Sequence, residues 1–393
     1  MAPRMIRGAQ AVAEAAALCR PQVISAYPIT PQTVIVEELA QMIANGKLEA
    51  EFVNVESEHS AASVVLGASA TGVRVYTASS SQGLLLMSEV LYNIAGMRLP
   101  VVLTCANRSV SAPLNIWNDQ QDSISLRDSG CLQFYAENNQ EAVDLLLLAY
   151  RVAEDHGVML PALVCVDGFL LPHAYEAVDV PEPKEVDAFL PPYQPLYRLD
   201  PDEPLTFGAY AEPDKYMEAR YMMQRAQEKA ISVIQEAGHS FEKVFGRPIS
   251  ALMERYRMDD ASTALVAMGS VIGTIKDVVD ELRSQGQRVG ALKIVTYRPF
   301  PKELIYHALK EMENIIVLDK AVSLGSGGPL ATEIRAAFQG SPQPPRVSGV
   351  IAGLGGRDIT MDTIKRVISQ AQKEVLEAEF VDLREDMELE GVD

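Results

Sequence analysis

Apolar runs of strand length alternate with helical patterns from the start of the chain. Strands are predicted at residues 23–27, 51–55, 73–78, 101–105 and 162–166. Helices are predicted between them, at residues 11–18, 33–44, 60–70, 83–94 and 141–154. Gly46, just beyond the second helix, predicts a left-handed cap. Strands that alternate with helices indicate a parallel sheet covered on both faces, so we predict an α/β fold.

The pattern changes after residue 167. Nine prolines fall between Pro172 and Pro213. Because proline fixes φ and removes a hydrogen-bond donor, this stretch predicts an extended segment that wraps a surface, without a continuous helix or a central strand. A long helix is predicted next, at residues 215–237, ending at Gly238.

A second alternating unit begins near residue 262. Its predicted strands are residues 263–268, 292–297, 315–319 and 347–351, and its predicted helices are residues 270–283, 302–312 and 330–338. We therefore predict two domains, residues 1–258, with the proline-rich segment 172–213 and the long helix, and residues 259–393. Two glycine-rich stretches begin at Gly325 and Gly353, and both fit a tight strand-to-helix turn better than a Rossmann or P-loop phosphate site.

Composition narrows the possible functions. The net charge is −19, which argues against nucleic acid as a partner because phosphate binding needs a basic face. No apolar run has the length of a membrane span, and the N-terminus lacks the pattern of a signal peptide, so we predict a cytoplasmic protein. The four cysteines form no C-x-x-C pair, which leaves the chain without a linear iron–sulfur or zinc motif. Cys105 and Cys165 lie in apolar strands and are predicted to be buried.

Three polar segments lie at or near the carboxyl ends of predicted strands, where open α/β sheets bind their ligands. The first is residues 27–31, YPITP, in which two prolines stiffen a loop around Thr30. A rigid loop that presents one hydroxyl suits recognition of a small polar ligand. Helix capping by Thr30 is an equally good interpretation from the sequence.

The second segment is residues 55–60, VESEHS, where Glu56 and Glu58 flank a strand-to-helix junction. Acidic residues favour helix N-termini, so a solvated helix start is an alternative interpretation. It explains the presence of one glutamate easily, but the presence of both less well. The small residues that follow allow a helix to approach a flat ligand closely.

The third segment runs from Asn107 to Asp122 and contains the only tryptophan of the chain. Arg108 follows an apolar strand closely, and a guanidinium there suits two-point binding of a carboxylate. The alternative is an internal salt bridge from Arg108 to Asp119 or Asp122.

Together these segments resemble the α subunit of pyruvate and related 2-oxoacid:ferredoxin oxidoreductases of anaerobes. The resemblance runs from Gly8 to about Asp167. It resumes at residues 215–221 (KYMEARY), 297–301 (YRPFP) and 351–358 (IAGLGGRD). These motifs are too long and specific for a chance similarity.

The resemblance implies a pyrimidine-type thiamine-diphosphate-binding domain followed by a domain like the C-terminal domain of transketolase. The cofactor would be shared between two chains, and this chain would hold its aminopyrimidine ring. The diphosphate and Mg²⁺ of this family need a Gly-Asp-Gly motif, which this sequence lacks. The family places that motif on a β subunit, and it places the 4Fe–4S clusters on the β subunit and a ferredoxin-like δ subunit, with γ as a further partner.

By resemblance, Glu58 contacts the pyrimidine ring as the catalytic acid, and Pro28 and Ile29 belong to the cofactor-binding loop. Thr30 and Arg108 then lie near the substrate. The implied reaction is reversible, coenzyme A-dependent oxidative decarboxylation of a 2-oxoacid, with electrons passing to ferredoxin. Thr30 matches the pyruvate-type and branched-chain-type loops, so pyruvate is the favoured acid and 2-oxoisovalerate is the alternative.

Two other interpretations remain open. One is a carboligase of the transketolase or dehydrogenase type without metal clusters, and the other is a non-catalytic scaffold subunit with a decayed site. The retention of Thr30, Glu58 and Arg108 argues against the scaffold.

Overall fold

The computed structural model describes residues 3–384, and these form two compact units. The first unit runs to Glu254 and includes Met268–Ser270 and Lys293–Pro301. The second contains Arg255–Ala267, Val271–Leu292 and the chain from Lys302 onward. The predicted domain boundary lies at residue 258, and the two short stretches that rejoin the first unit were not part of that prediction.

The first unit begins with strands and helices that alternate, as the hydrophobic pattern predicts. In chain order they are β1 (Arg4–Arg7), α1 (Gly8–Leu18), β2 (Val23–Ser25), α2 (Thr33–Ala44), β3 (Glu51–Val53), α3 (Glu58–Ala70), β4 (Val75–Ser79), α4 (Ser81–Leu86), α5 (Ser88–Gly96), β5 (Val102–Asn107), α6 (Gln121–Ile124), β6 (Leu132–Tyr135), α7 (Asn139–Ala153) and β7 (Ala162–Asp167). The predicted helix at residues 83–94 is in fact two helices, because Met87, with a ψ of −13°, interrupts the regular helical geometry.

The proline-rich segment contains two short elements, β8 (Tyr175–Val178) and α8 (Pro183–Phe189). Strand β8 pairs only with β1, in an antiparallel ribbon outside the main sheet. Helix α8 was not predicted. It forms because Pro183 occupies the first helical turn, where the missing N–H costs nothing.

The long helix is α9 (Pro213–Phe245), and the predicted end at Gly238 was wrong. The buried apolar stripe continues through Ala237 to Phe241, so packing outweighs the cost of about 1 kcal/mol that a glycine imposes on a helix interior. The helix ends instead at Gly246, whose φ of 67° is left-handed.

The main sheet of the first unit has the order β12-β6-β7-β5-β4-β2-β3, where β12 is Thr296–Arg298. Strands β2 to β7 of this sheet pair in parallel, as predicted, and only β12 is antiparallel. Helix α7, almost entirely buried, packs against β5, β6 and β7, and α3 packs against β2 and β4. The sheet therefore presents the carboxyl ends of its parallel strands along one edge.

The remaining elements build the second sheet and its helices. They are β9 (Met253–Tyr256), β10 (Thr263–Ala267), α10 (Val271–Ser284), β11 (Val289–Ile294), α11 (Lys302–Leu309), β13 (Asn314–Asp319), α12 (Pro329–Ala337), β14 (Arg346–Ile351), α13 (Met361–Lys373) and β15 (Glu377–Phe380). The sheet order is β15-β14-β13-β10-β11-β9, and the pairs β10–β13, β13–β14 and β14–β15 are parallel.

Both glycine-rich stretches of the second unit form turns, as predicted. The first is closed by backbone hydrogen bonds between Ser323 and Gly327 of 2.8 and 2.9 Å. The second places Gly353 and Gly355 in the left-handed region. Asp319, at the end of β13, accepts hydrogen bonds from the backbone N–H groups of Leu330 and Ala331 and thereby caps α12. Burial raises the pKa of Asp319 to about 7, against the opposing effect of these hydrogen bonds.

All four cysteines are buried free thiols, as expected for Cys105 and Cys165. Within residues 3–384, no three or more histidine, cysteine or acidic side chains are arranged to hold a metal ion. No helix in the same range is both long and apolar enough to cross a membrane.

Candidate functional site

The order of the strands creates a crevice at the carboxyl edge of the first sheet. Strand β2 lies between β3 and β4, so the chain passes from β2 to β3 on one side and then to β4 on the other. At such a switch point the loops diverge to opposite faces, and ligands of open α/β sheets bind between them. The loop at residues 27–31 follows β2, and the segment leading into α4 follows β4.

Two hydrogen-bonding anchors hold the loop at residues 27–31. The fully buried Gln32 donates from Nε2 to the carbonyl of Ala78 at 2.6 Å and accepts from the N–H of Ile29 at 3.3 Å. Arg108 Nη1 donates to the carbonyl of Thr30 at 3.0 Å. The loop is thus tied both to β4 and to the segment after β5.

Thr30 does not cap α2. The N-cap of that helix is Gln32, and no side chain caps it. The exposed Thr30 hydroxyl makes no hydrogen bond to the residues that the structure describes, so it can serve a ligand. Pro28 is exposed and Ile29 is half-buried beside it.

Glu58 is the first residue of α3, and only 7% of it is exposed. Across residues 3–384 its carboxylate has no hydrogen-bond or ion-pair partner. It lies against Gly83 of α4, where a Cβ would stand 2.8 Å from Glu58 Cδ and 2.7 Å from Ser79 Oγ. The hydroxyl of Ser79 is also buried without a partner. A buried carboxylate and hydroxyl without protein partners fit a ligand that supplies the missing hydrogen bonds.

Glu56 is exposed and accepts a hydrogen bond from Ser60 Oγ at 2.5 Å. This hydrogen bond lowers the pKa of Glu56. Because Glu58 already belongs to the helix, the two carboxylates do not share a face. The fold therefore separates two residues that strand periodicity alone left equivalent.

Arg108 is 8% exposed and bridges two loops. Besides the bond to Thr30, its Nε donates to the carbonyl of Asn115 at 3.1 Å. The predicted alternative, a salt bridge to Asp119 or Asp122, is absent among the described residues. Asp122 instead accepts from the backbone N–H of Arg108 at 3.0 Å. The Nη2 group of Arg108 has no described partner, which leaves part of the guanidinium free for an anion.

Large apolar side chains are exposed near these groups. Leu114, Ile116 and Trp117 belong to the loop after Arg108, and the exposed Leu86 ends α4. The Trp117 ring packs at 4.8 Å from that of Phe169, just after β7, yet half of Trp117 stays exposed. Exposed apolar groups around a polar site are typical of a surface that another protein covers.

Structural comparison defines the class of this fold. The chain superposes on 2-oxoglutarate:ferredoxin oxidoreductase from Magnetococcus marinus with a TM-score of 0.74 and 19% identity, over 94% of this chain and 65% of that one. It also superposes on a split-gene transketolase with a TM-score of 0.52 and 11% identity, over 94% and 99% of the two chains. These superpositions confirm the predicted α/β fold, with its transketolase-like arrangement.

Sequence comparison is more specific. Residues 14–239 match the thiamine-diphosphate-binding family of pyruvate flavodoxin/ferredoxin oxidoreductases, and residues 261–364 match core domain II of pyruvate:ferredoxin oxidoreductase. The pyruvate synthase subunit PorA of Methanothermobacter thermautotrophicus is 50% identical over 99% of this chain and all of its own. That of Methanosarcina barkeri is 50% identical over 98% and 97% of the two chains. The ketoisovalerate oxidoreductase subunit VorA of Pyrococcus abyssi is 45% identical over 96% and 95%. This chain belongs to the pyruvate:ferredoxin oxidoreductase family, as a subunit of the PorA type.

Proposed function

We propose that this chain supplies the aminopyrimidine half-site and the substrate-carboxylate site of a cytoplasmic pyruvate:ferredoxin oxidoreductase. The reaction converts pyruvate and coenzyme A to acetyl-CoA and CO₂, and two electrons leave for ferredoxin. The observation that carries the proposal is Glu58, a buried carboxylate without a protein partner at the switch point of the sheet. The higher identity to pyruvate-type than to ketoisovalerate-type relatives favours pyruvate.

When bound, thiamine diphosphate supplies a nucleophilic carbon that adds to the 2-oxo group and accepts the electron pair released by decarboxylation. Glu58 would hold or donate a proton at a ring nitrogen of the bound cofactor, and Gly83 leaves room beside the Glu58 carboxylate. Pro28 and Ile29 border the same crevice through the anchored loop. Ser79 offers a second hydrogen-bonding group beside Glu58.

Arg108 and Thr30 orient the substrate in this proposal. The free edge of the Arg108 guanidinium pairs with the carboxylate of the 2-oxoacid. The Thr30 hydroxyl is close to this pair, because the carbonyl of the same residue accepts a hydrogen bond from Arg108. Orientation of the carboxylate aligns the bond that breaks and fixes the 2-oxo carbon toward the crevice.

The rest of the active site comes from partners. The sequence has no Gly-Asp-Gly and no C-x-x-C motif, so we assign the diphosphate, Mg²⁺ and 4Fe–4S sites to a β subunit and to a ferredoxin-like δ subunit, with γ completing the complex. The exposed Leu114, Ile116 and Trp117 support a partner surface beside Arg108.

The test compares the chain alone with the complex co-expressed from the neighbouring genes. Dye reduction is measured with thiamine diphosphate, Mg²⁺ and coenzyme A, first with pyruvate and then with 2-oxoisovalerate. We expect no turnover from the isolated chain and a higher kcat/KM for pyruvate in the complex. If the isolated chain turns over nearly as fast as the complex, the proposal that it holds only half of the active site is wrong. If the complex prefers 2-oxoisovalerate, the assignment of pyruvate as the substrate is wrong.

A further inference from the structure

We propose that Asp122 is a positioning residue that sets the geometry of both the Arg108 site and the Glu58 site. The inference rests on the proposed function, because it concerns how this chain orients the same substrate and cofactor. Asp122 itself contacts neither the substrate nor the cofactor, because its side chain is fully buried.

The carboxylate of Asp122 is saturated with hydrogen bonds. Its Oδ2 accepts from the backbone N–H of Ser81 at 2.9 Å and of Arg108 at 3.0 Å. Its Oδ1 accepts from Asn107 Nδ2 at 2.7 Å and from the N–H of Ser123 at 2.8 Å. The Cys105 thiol is a fifth, weaker donor, with Sγ 3.5 Å from Oδ2. The described residues include no cation paired with Asp122, so these five donors compensate a fully buried carboxylate.

These donors come from three separate segments of the chain. Ser81 begins α4, Asn107 ends β5 and Arg108 follows it, and Ser123 belongs to α6. One carboxylate therefore joins the carboxyl ends of β4 and β5, on one side of the crevice. Deletion of such an acceptor leaves several buried N–H groups unsatisfied at once.

On the cofactor side, Asp122 holds a backbone that is otherwise unfavourable. Ser81 has a φ of 49°, a left-handed value that a non-glycine residue rarely adopts. The Asp122 carboxylate binds its N–H, and the Ser81 hydroxyl binds the carbonyl of Ser109. The fixed backbone of Ser81 sets the position of Gly83, two residues later in α4, which lies against the Glu58 side chain.

On the substrate side, Asp122 anchors the backbone from which the Arg108 side chain extends. The guanidinium then reaches the carbonyls of Thr30 and Asn115. A fixed backbone and two fixed side-chain contacts leave the remaining N–H groups in one orientation. This is the preorganisation that a two-point carboxylate clamp requires.

Burial raises the pKa of Asp122, and the hydrogen bonds from Asn107, Arg108, Ser81 and Ser123 lower it in turn. The Asp122 carboxylate accepts five hydrogen bonds and donates none, which suits the ionised form. Asparagine has the same shape, but its NH₂ group cannot accept the two or three hydrogen bonds that reach the oxygen it replaces.

The experiment is Asp122→Asn in the complete complex, with Asp319→Asn as the matched control. Asp319 is also a buried carboxylate that binds two backbone N–H groups, but it lies in the second unit. We expect Asp122→Asn to lower kcat/KM for pyruvate about 10- to 100-fold, and Asp319→Asn to change it less than about threefold.

A double-mutant cycle separates positioning from general stability. Because Asp122 acts on the substrate side through Arg108, Asp122→Asn costs at least about threefold less in kcat/KM once Arg108→Met is present, and the loss that persists is that of the Glu58 side. Equal losses in both backgrounds overturn the proposal, because they indicate a structural effect that does not pass through Arg108.

Hydrogen exchange of the chain by mass spectrometry is independent of turnover. In the wild type, peptides that contain Ser81 and Arg108 must be protected, and Asp122→Asn must raise their exchange while peptides of α12 stay unchanged. Fast exchange of these peptides in the wild type overturns the proposal even if the variant does not fold. An inactive wild-type complex with the expected exchange pattern refutes the proposed function and leaves the positioning role of Asp122 intact.

Discussion

Gly83→Ala tests the Glu58 site without altering any chemical group. A Cβ at this position would stand 2.8 Å from Glu58 Cδ and 2.7 Å from Ser79 Oγ, whereas ordinary contacts begin at 3.4 Å. Glu58 Oε1 would be nearer still, so the carboxylate must retreat by about 1 Å, or α4 must shift by a similar amount. Alanine gains up to about 1 kcal/mol in a helix, but the overpacking costs about 1–3 kcal/mol, so we expect a net loss of about 1 kcal/mol.

The functional loss should exceed the stability loss. A displacement of about 1 Å in a catalytic site costs on the order of a hundredfold, so a displacement shared between Glu58 and α4 should cost roughly ten- to a hundredfold. The assay follows hydrogen–deuterium exchange at C2 of thiamine diphosphate in the assembled complex by quenched-flow NMR. It reports on the proton chemistry near Glu58 without depending on electron transfer. Urea unfolding of the isolated chain measures the change in stability.

Gly67→Ala is the matched control. Gly67 lies on the exposed face of α3, the helix that Glu58 begins, and nothing lies within 4 Å of its added Cβ. We expect about 0.5–1 kcal/mol of stabilisation and an unchanged exchange rate. If Gly83→Ala keeps both the wild-type exchange rate and the wild-type stability, Glu58 does not occupy this contact and the reasoning is wrong.

Three further predictions follow from named groups. Glu58→Gln should lower the C2 exchange rate about 10²–10⁴-fold, whereas Glu56→Gln, at an exposed position, should lower it much less. A larger loss of C2 exchange in Glu56→Gln would show that Glu56, not Glu58, is the catalytic acid. Arg108→Met should lower kcat/KM for pyruvate about thirty- to a thousandfold with little change in cofactor affinity, and Arg108→Lys should recover only part, so full recovery would exclude a two-point clamp. The pKa of Asp319 is raised to about 7, so between about pH 4 and pH 7 the folded chain keeps a proton that the unfolded chain loses. The free energy of unfolding should therefore fall as the pH rises through this range, by at most about 4 kcal/mol. Asp319→Asn should remove this pH dependence of the free energy of unfolding, measured from urea unfolding at pH 5 and pH 8. An unchanged difference between the two pH values would contradict the prediction.

The type and order of the secondary-structure elements could be inferred from local patterns. Alternating apolar runs and amphipathic stretches indicate a parallel α/β sheet, because backbone periodicity and local propensity act over a few residues. The same local information placed Thr30, Glu58 and Arg108 after strands. The prediction that partners complete the site came from the family resemblance, with which the missing Gly-Asp-Gly and C-x-x-C motifs agree. These conclusions needed no knowledge of which strands are neighbours.

Only the tertiary structure decided what surrounds each group. The last residue of α9, Phe245, lies seven residues beyond Gly238, because burial against the rest of the unit outweighs a local stop signal. Hydrophobic periodicity along the sequence does not contain this effect. Glu56 and Glu58 are two residues apart, yet one is exposed and the other is enclosed against Gly83, since the strand order brings α4 beside the start of α3. The contacts of Asp122 with Ser81 and Arg108 likewise join strand ends that are separated by more than twenty residues. Hydrogen bonds and close packing depend on distances in space, and those distances are set by how the sheet is assembled.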